Sequence, residues 1–153
     1  MYFENGYLFS YHNDSIKTQE CSNQQGWTTL GDIGRLDDES YLCLTDRKSF
    51  VIISGGVNIY PQETENTLIG HPSVLDVAVI GVPDELFGEA VLAIVQLMPS
   101  ENKTEKLKAN LNEYCHDNLS SIKCPKNIEF RDTLPRSATG KLYKRKLRDE
   151  YWL

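Results

Sequence analysis

Two apolar runs, Val74–Val82 (VLDVAVIGV) and Ala90–Leu97 (AVLAIVQL), limit the possible folds of this chain more than any other feature. Both are near-continuous, the pattern of strands buried on both faces, and Pro83–Gly88 joins them as a tight connection. A helix is predicted to start at Pro61, because proline suits the first helical position and disfavours helical angles in the residue before it. Gly70, followed by His71-Pro72, ends it. A second helix follows Asn102, which with Glu105 resembles a capping box, and Leu107, Leu111, Tyr114 and Cys115 then recur at helical spacing. Tyr41–Thr45 and Phe50–Ile53 are β-rich, Asp37–Ser40 is a polar turn, Ile128–Phe130 reads as a short strand and Leu142–Tyr151 as a final amphipathic helix. The order β-β-α-β-β-α-β-α describes a small α+β sandwich with helices packed on one mixed sheet. Residues 1–25 carry no self-contained core pattern and read as the end of something that began earlier.

The 153 residues, 40% apolar and 25% charged, suit one ordinary domain, or a small domain with part of another. No apolar run is long enough to span a membrane and the first residues do not form a secretory signal, so a soluble, cytoplasmic protein is expected. Cys21, Cys43, Cys115 and Cys124 form no CxxC pair and show no metal-ligand spacing with His12, His71 or His116, so no metal site is expected. Cys115 and His116 are adjacent and could be read as a nucleophile and base, but neighbouring helical residues point about 100° apart. Cys115 also falls on the apolar stripe and reads as a core thiol.

The net charge of −6 is unevenly spread. Residues 123–148 hold nine basic side chains against two acidic ones, and residues 1–122 hold seven basic against eighteen acidic. Such a tail meets nucleic acid, a nucleotide or coenzyme phosphate, or only solvent. The acidic remainder and the lack of a stacking-aromatic pattern argue against a nucleic-acid partner.

Three segments carry candidate chemistry. In GWTTLGDIGRLDD, Asp32 lies between two glycines, where it is either an ordinary turn aspartate or an acceptor for two neighbouring hydroxyls such as those of a ribose. In TDRKSFVIISGGVNIYPQETE, Arg47 and Lys48 follow a strand. Gly55-Gly56 is either a plain hairpin tip or a bare backbone surface for a thin ligand. In LPRSATGKLYKRKL, Ser137, Thr139 and Gly140 form a loop before Lys141, which is either one more surface lysine or a movable cation for phosphate and carboxylate oxygens. The Walker A spacing is absent.

Together, in this order, the three segments resemble the final motifs of the adenylate-forming superfamily. GGVNIYP and LPRSATGK look most like the fatty-acyl and related carboxylate CoA ligases. The resemblance implies an acid–thiol ligase that joins a carboxylic acid, typically fatty, to AMP and then transfers the acyl group to coenzyme A. It implies ATP, coenzyme A and Mg2+ as cofactors, held mainly by a large N-terminal domain. Residues 1–46 would be the last strands of that domain, 47–50 a hinge and 51–153 a mobile C-terminal domain. Asp32 matches the aspartate that holds the ribose hydroxyls, Arg47 the arginine that reaches the nucleotide sugar, and Lys141 the adenylation lysine. Ser49 falls at the pivot, where many relatives carry aspartate or lysine. Gly55 and Gly56 match the loop lining the pantetheine tunnel, with Asn58 in the same loop.

The sequence contains no phosphate-binding loop rich in serine, threonine and glycine, and neither an acyl nor an adenine pocket can be identified. The chain alone is therefore expected to be inactive. The alternative is a stand-alone interaction or regulatory domain, in which Trp27 and Leu30 would favour self-association.

Overall fold

The computed structural model describes residues 2–4 and 9–152. The chain divides into two compact units, Met1–Ser49 and Phe50–Leu153.

In the first unit, helix α1 (Ser15–Glu20) is capped by Asp14, whose Oδ1 accepts from the Lys17 N–H at 2.9 Å. It buries no side chain, so it lacks the apolar period by which a helix is read from sequence. Strands β1 (Asp32–Leu36) and β2 (Leu42–Arg47) form an antiparallel hairpin with a register shift between Ile33 and Gly34. Asp37 closes its turn, accepting from the Glu39 and Tyr41 N–H groups at 3.1 and 2.8 Å. A 3-10 turn, Lys48–Phe50, follows, so Phe50 stands in a turn rather than in the expected strand.

The second unit is built on a mixed five-stranded sheet. Strands β5 (Val74–Asp84) and β6 (Gly88–Leu97) pair antiparallel over their whole length. They include Pro83 and Asp84, which the sequence pattern placed in the connection. On the other edge of β6 lie β7 (Asn127–Phe130), parallel to it, and β3 (Ile52–Ser54), bridged through Ser54 and Gly88. Strand β4 (Val57–Ile59) pairs with β3. It was not predicted separately, because three residues are too short to show a period.

Alternation along β5 and β6 divides the core between the two faces of the sheet. Val77, Val79, Val91, Ala93 and Val95 pack with Leu68 of helix α2 (Pro61–Ile69) and with Leu111 and Cys115 of helix α3 (Glu105–Asn118). Ala78, Ile80, Leu92 and Ile94 pack with Leu134 and with Leu147 of helix α4 (Lys144–Asp149). Each fully buried Leu or Val contributes roughly 1.5–3 kcal/mol. This double burial explains why the two runs read as apolar throughout.

The starts of two helices also differ from the sequence reading. Thr104, not Asn102, caps α3: its Oγ1 accepts from the Leu107 N–H at 3.1 Å. Helix α4 begins at Lys144 rather than Leu142 because the two preceding residues belong to a loop closure. Leu142 bridges to Arg136, and the Tyr143 N–H donates to the Pro135 carbonyl at 2.8 Å. Among the described residues, no helix is long and apolar enough to cross a membrane.

Candidate functional site

The hairpin of the first unit brings Asp32 and Arg47 together. They stand opposite each other at the open end of β1 and β2, and Arg47 Nε donates to Asp32 Oδ1 at 3.0 Å. The side chain of Asp32 is 22% exposed and that of Arg47 50%, so solvent reaches both. A carboxylate can accept from more than one hydroxyl, and a guanidinium carries five donors suited to an anion. Gly31, with φ +81°, turns the chain into β1 just before Asp32.

In the second unit, Gly55 and Gly56 form the two-residue turn between β3 and β4, with φ of +55° and +81°. Positive φ at both central positions of a hairpin turn strongly favours glycine at the pair. The Gly55 N–H donates to the Phe87 carbonyl at 2.8 Å, and a Cβ on Gly55 would stand 3.1 Å from the Phe87 ring. Gly55 and Phe87, but not Gly56, line a groove of about 550 Å³ shared with Asn112, His116, Ile122 and Lys126. Asn112 Oδ1 is buried there with no hydrogen-bond partner among the described residues. Lys126 pairs with Asp84 and lies 5.9 Å from the centre of the Phe87 ring. The Lys126 ammonium and then the Phe87 N–H hold the Asp84 carboxyl below the usual carboxylate range. Phe87, Asn112 and Lys126 escaped the sequence reading, which had only the basic tail as a signal for Lys126.

Lys141 ends a hairpin-like loop closed by its own backbone. The Ser137 N–H donates to the Lys141 carbonyl at 2.9 Å, and the Gly140 N–H donates to the Ser137 carbonyl at 2.8 Å. Arg136 donates to the Gly140 carbonyl at 2.7 Å while its other nitrogen pairs with Asp76 on β5. Lys141 itself is exposed. Seven of the nine basic side chains of residues 123–148 form ion pairs within the second unit. Lys141 has no such partner among the described residues, so most of the local positive charge is already neutralised while this ammonium stays available.

Cys115 is fully buried, and desolvation, followed by the nearby Cys124, pushes its thiol up to about 11. That suits packing, not nucleophilic chemistry. Among the described residues, no group of three His, Cys, Asp or Glu side chains is placed to hold a metal ion. Ser49 is exposed within the 3-10 turn at the boundary of the two units.

The sequence profile of the AMP-binding enzyme C-terminal domain matches residues 63–141, more than half of the chain. The chain belongs to this family. As an AMP-binding C-terminal domain it is 46% identical over 144 residues to the long-chain-fatty-acid–CoA ligase FadD13 of Mycobacterium tuberculosis. That alignment covers 94% of this chain and 28% of FadD13. It is 39% identical to the fatty acid–[acyl-carrier-protein] ligase ScoC of Streptomyces coeruleorubidus, across 83% of this chain and 24% of ScoC. The solved structure of ATP-bound MatB from Rhodopseudomonas palustris superposes with a TM-score of 0.80 at 34% identity, covering 89% of this chain and 26% of that one. The AMP-binding C-terminal domain thus spans little more than a quarter of the length of FadD13. The relatives are adenylate-forming ligases, and the mixed sheet with packed helices is their C-terminal fold.

Proposed function

We propose that this chain serves as the C-terminal part of an ATP-dependent acid–thiol ligase that activates a carboxylic acid, of the fatty-acid class, as acyl-AMP and then transfers it to coenzyme A. The supporting observation is the unpaired Lys141 ammonium, set on a closed loop in a segment whose other cations are largely paired. When a carboxylate attacks the α-phosphate of ATP, two anions must meet, and a fixed cation between them lowers that barrier. Asp32 accepts from the ribose hydroxyls, and Arg47 holds Asp32 in place and reaches the same sugar. Residues 47–50 act as the hinge, with Ser49 at the pivot, and residues 51–153 move as one body around it. After that movement the bare backbone of Gly55 and Gly56 lines the path of the pantetheine arm. Residues 1–46 complete a large N-terminal domain that supplies the acyl and adenine pockets and any magnesium site.

The exposed apolar side chains of the first unit support such a partner domain: Leu30, Leu36, Tyr41 and Leu44 are each between 55% and 67% exposed. Unpartnered apolar surface of this kind marks an interaction site. It also suits the second reading, a free-standing interaction domain, which predicts self-association in size-exclusion chromatography.

The test is a hybrid in which this chain replaces the matching segment of FadD13. The hybrid is expected to release pyrophosphate with ATP and a long-chain fatty acid, and Lys141→Ala is expected to slow that release on the order of 100-fold or more. The chain alone is expected to be inactive. Turnover by the chain alone that Lys141→Ala abolishes would contradict the need for a large domain, and an unimpaired Lys141→Ala hybrid would remove the role given to Lys141.

A further inference from the structure

Lys144 and Glu65 form an ion pair inside the second unit, with side chains 10% and 9% exposed. Lys144 Nζ lies 2.7 Å from Glu65 Oε1 and 2.9 Å from Oε2. Glu65 Oε1 also accepts from the Val79 N–H at 2.7 Å, in the middle of β5. The Phe50 ring, at the start of the unit, faces the same ammonium with its centre 5.5 Å away. The ion pair thus joins α4, α2, the edge strand β5 and the last residue of the proposed hinge.

Stability alone does not account for this arrangement. Desolvating two charges costs several kcal/mol per ion, and apolar replacements of a buried pair are often neutral or stabilising. What the pair supplies is a fixed position. Lys144 stands three residues after Lys141, and the intervening Tyr143 N–H is tied to the Pro135 carbonyl at 2.8 Å. The other end of the loop is fixed to the same strand, because Arg136 pairs with Asp76 of β5 and donates to the Gly140 carbonyl at 2.7 Å. The loop carrying Lys141 is therefore held at both ends, directly to β5 by the exposed Arg136–Asp76 pair and, through Glu65 of α2, to the Val79 N–H of β5 by the buried Lys144 pair.

We propose that the buried Lys144–Glu65 pair is the positioning device of the Lys141 loop, fixing where the Lys141 ammonium stands. The functional meaning rests on Lys141 being the adenylation lysine, but the geometry can be tested on this chain without any catalysis. Lys144→Met alone would leave a buried unpaired carboxylate and could unfold the unit. The informative variant is therefore Glu65→Gln/Lys144→Met, which removes both charges and keeps an oxygen for the Val79 N–H.

Amide hydrogen exchange followed by NMR gives the answer. In the double variant the Gly140, Lys141 and Tyr143 amides are expected to exchange at least tenfold faster, while the β5 and β6 amides stay within threefold of wild type. Lys144→Arg, which retains the charge and can bridge both carboxylate oxygens, is expected to keep the loop amides within threefold of wild type. Loop amides that do not respond, loop and core amides that accelerate in parallel, or a Lys144→Arg loop as fast as that of the double variant would each overturn the proposal. None of these rates depends on whether Lys141 takes part in adenylation, so failure here is distinct from failure of the Lys141→Ala hybrid.

Discussion

Gly55 and Gly56 permit a paired perturbation in which one substitution controls for the other. Both have positive φ, +55° and +81°, so an alanine at either position meets the left-handed penalty of roughly 1–2 kcal/mol. For a unit of about 60–100 residues, each kcal/mol lowers Tm by roughly 4–8 °C, so each variant should lose about 4–16 °C. The surroundings of the two positions differ. A Cβ at Gly56 meets open space, whereas one at Gly55 lies 3.1 Å from Phe87 Cδ1. Phe87 is 53% exposed, so its ring can move by a few tenths of an ångström at little further cost in stability. It moves, however, within the groove of about 550 Å³ that Phe87 lines with Gly55 and that Gly56 does not reach. Differential scanning calorimetry of the chain should therefore find Gly55→Ala and Gly56→Ala destabilised to a similar extent. In the FadD13 hybrid, transfer of a preformed acyl-adenylate to coenzyme A should fall about tenfold or more for Gly55→Ala relative to Gly56→Ala. Unchanged Tm in both variants would refute the turn argument. Equal transfer rates in the two variants would refute the assignment of the Gly55 side of the groove to the thiol step.

Further outcomes follow from local geometry. Thr104→Ala should cost about 1 kcal/mol in urea unfolding, through loss of the cap to the Leu107 N–H, whereas Asn102→Ala should change stability by less than about 0.5 kcal/mol; equal costs would return the cap to Asn102. Cys115 ionises near 9 when unfolded and near 11 when folded, so its contribution to stability is complete below pH 9 and is lost as pH rises through 11. Thiol labelling at pH 8 followed by mass spectrometry should modify the half-buried Cys21 and Cys43 well before the buried Cys115 and Cys124. Rapid labelling of Cys115 in the folded chain would contradict its assignment as a core thiol.

What was legible in the sequence follows from how much of each pattern lies within a short window. The β5 and β6 runs were visible because both faces of each strand are buried, and α2 was bounded by Pro61 and Gly70 as its local chemistry dictates. Helix α1 was not legible because it buries nothing, and β4 because its pairing with β3 depends on a two-glycine turn rather than on periodicity. The cap of α3 was misplaced because Asn102 and Thr104 are both good capping residues, and only the backbone shows which oxygen meets the Leu107 N–H. Asp32 and Arg47 were separately suspect in the sequence. Their 3.0 Å contact depends on hairpin register, including a shift between Ile33 and Gly34, which no local pattern encodes.

The basic tail shows how a sequence signal can be real and still mislead about its cause. Nine cations in residues 123–148 suggest a surface that attracts an anion, yet seven of them meet carboxylates of the same unit. Their partners include Glu63 and Glu65 on α2, Asp76 and Asp84 on β5, and Glu89 on β6, all from the acidic part of the sequence. The charge asymmetry along the chain is therefore largely a folding pattern, in which acidic strands and an acidic helix receive a basic C-terminal segment. Exposed pairs of this kind contribute little individually, about 0–1 kcal/mol, but they set where the segment lies. Once those charges are paired, the field at the Lys141 loop is not that of a broad basic patch. It is that of a local cation on a tied loop, which suits one small anionic centre better than the extended phosphate backbone of a nucleic acid.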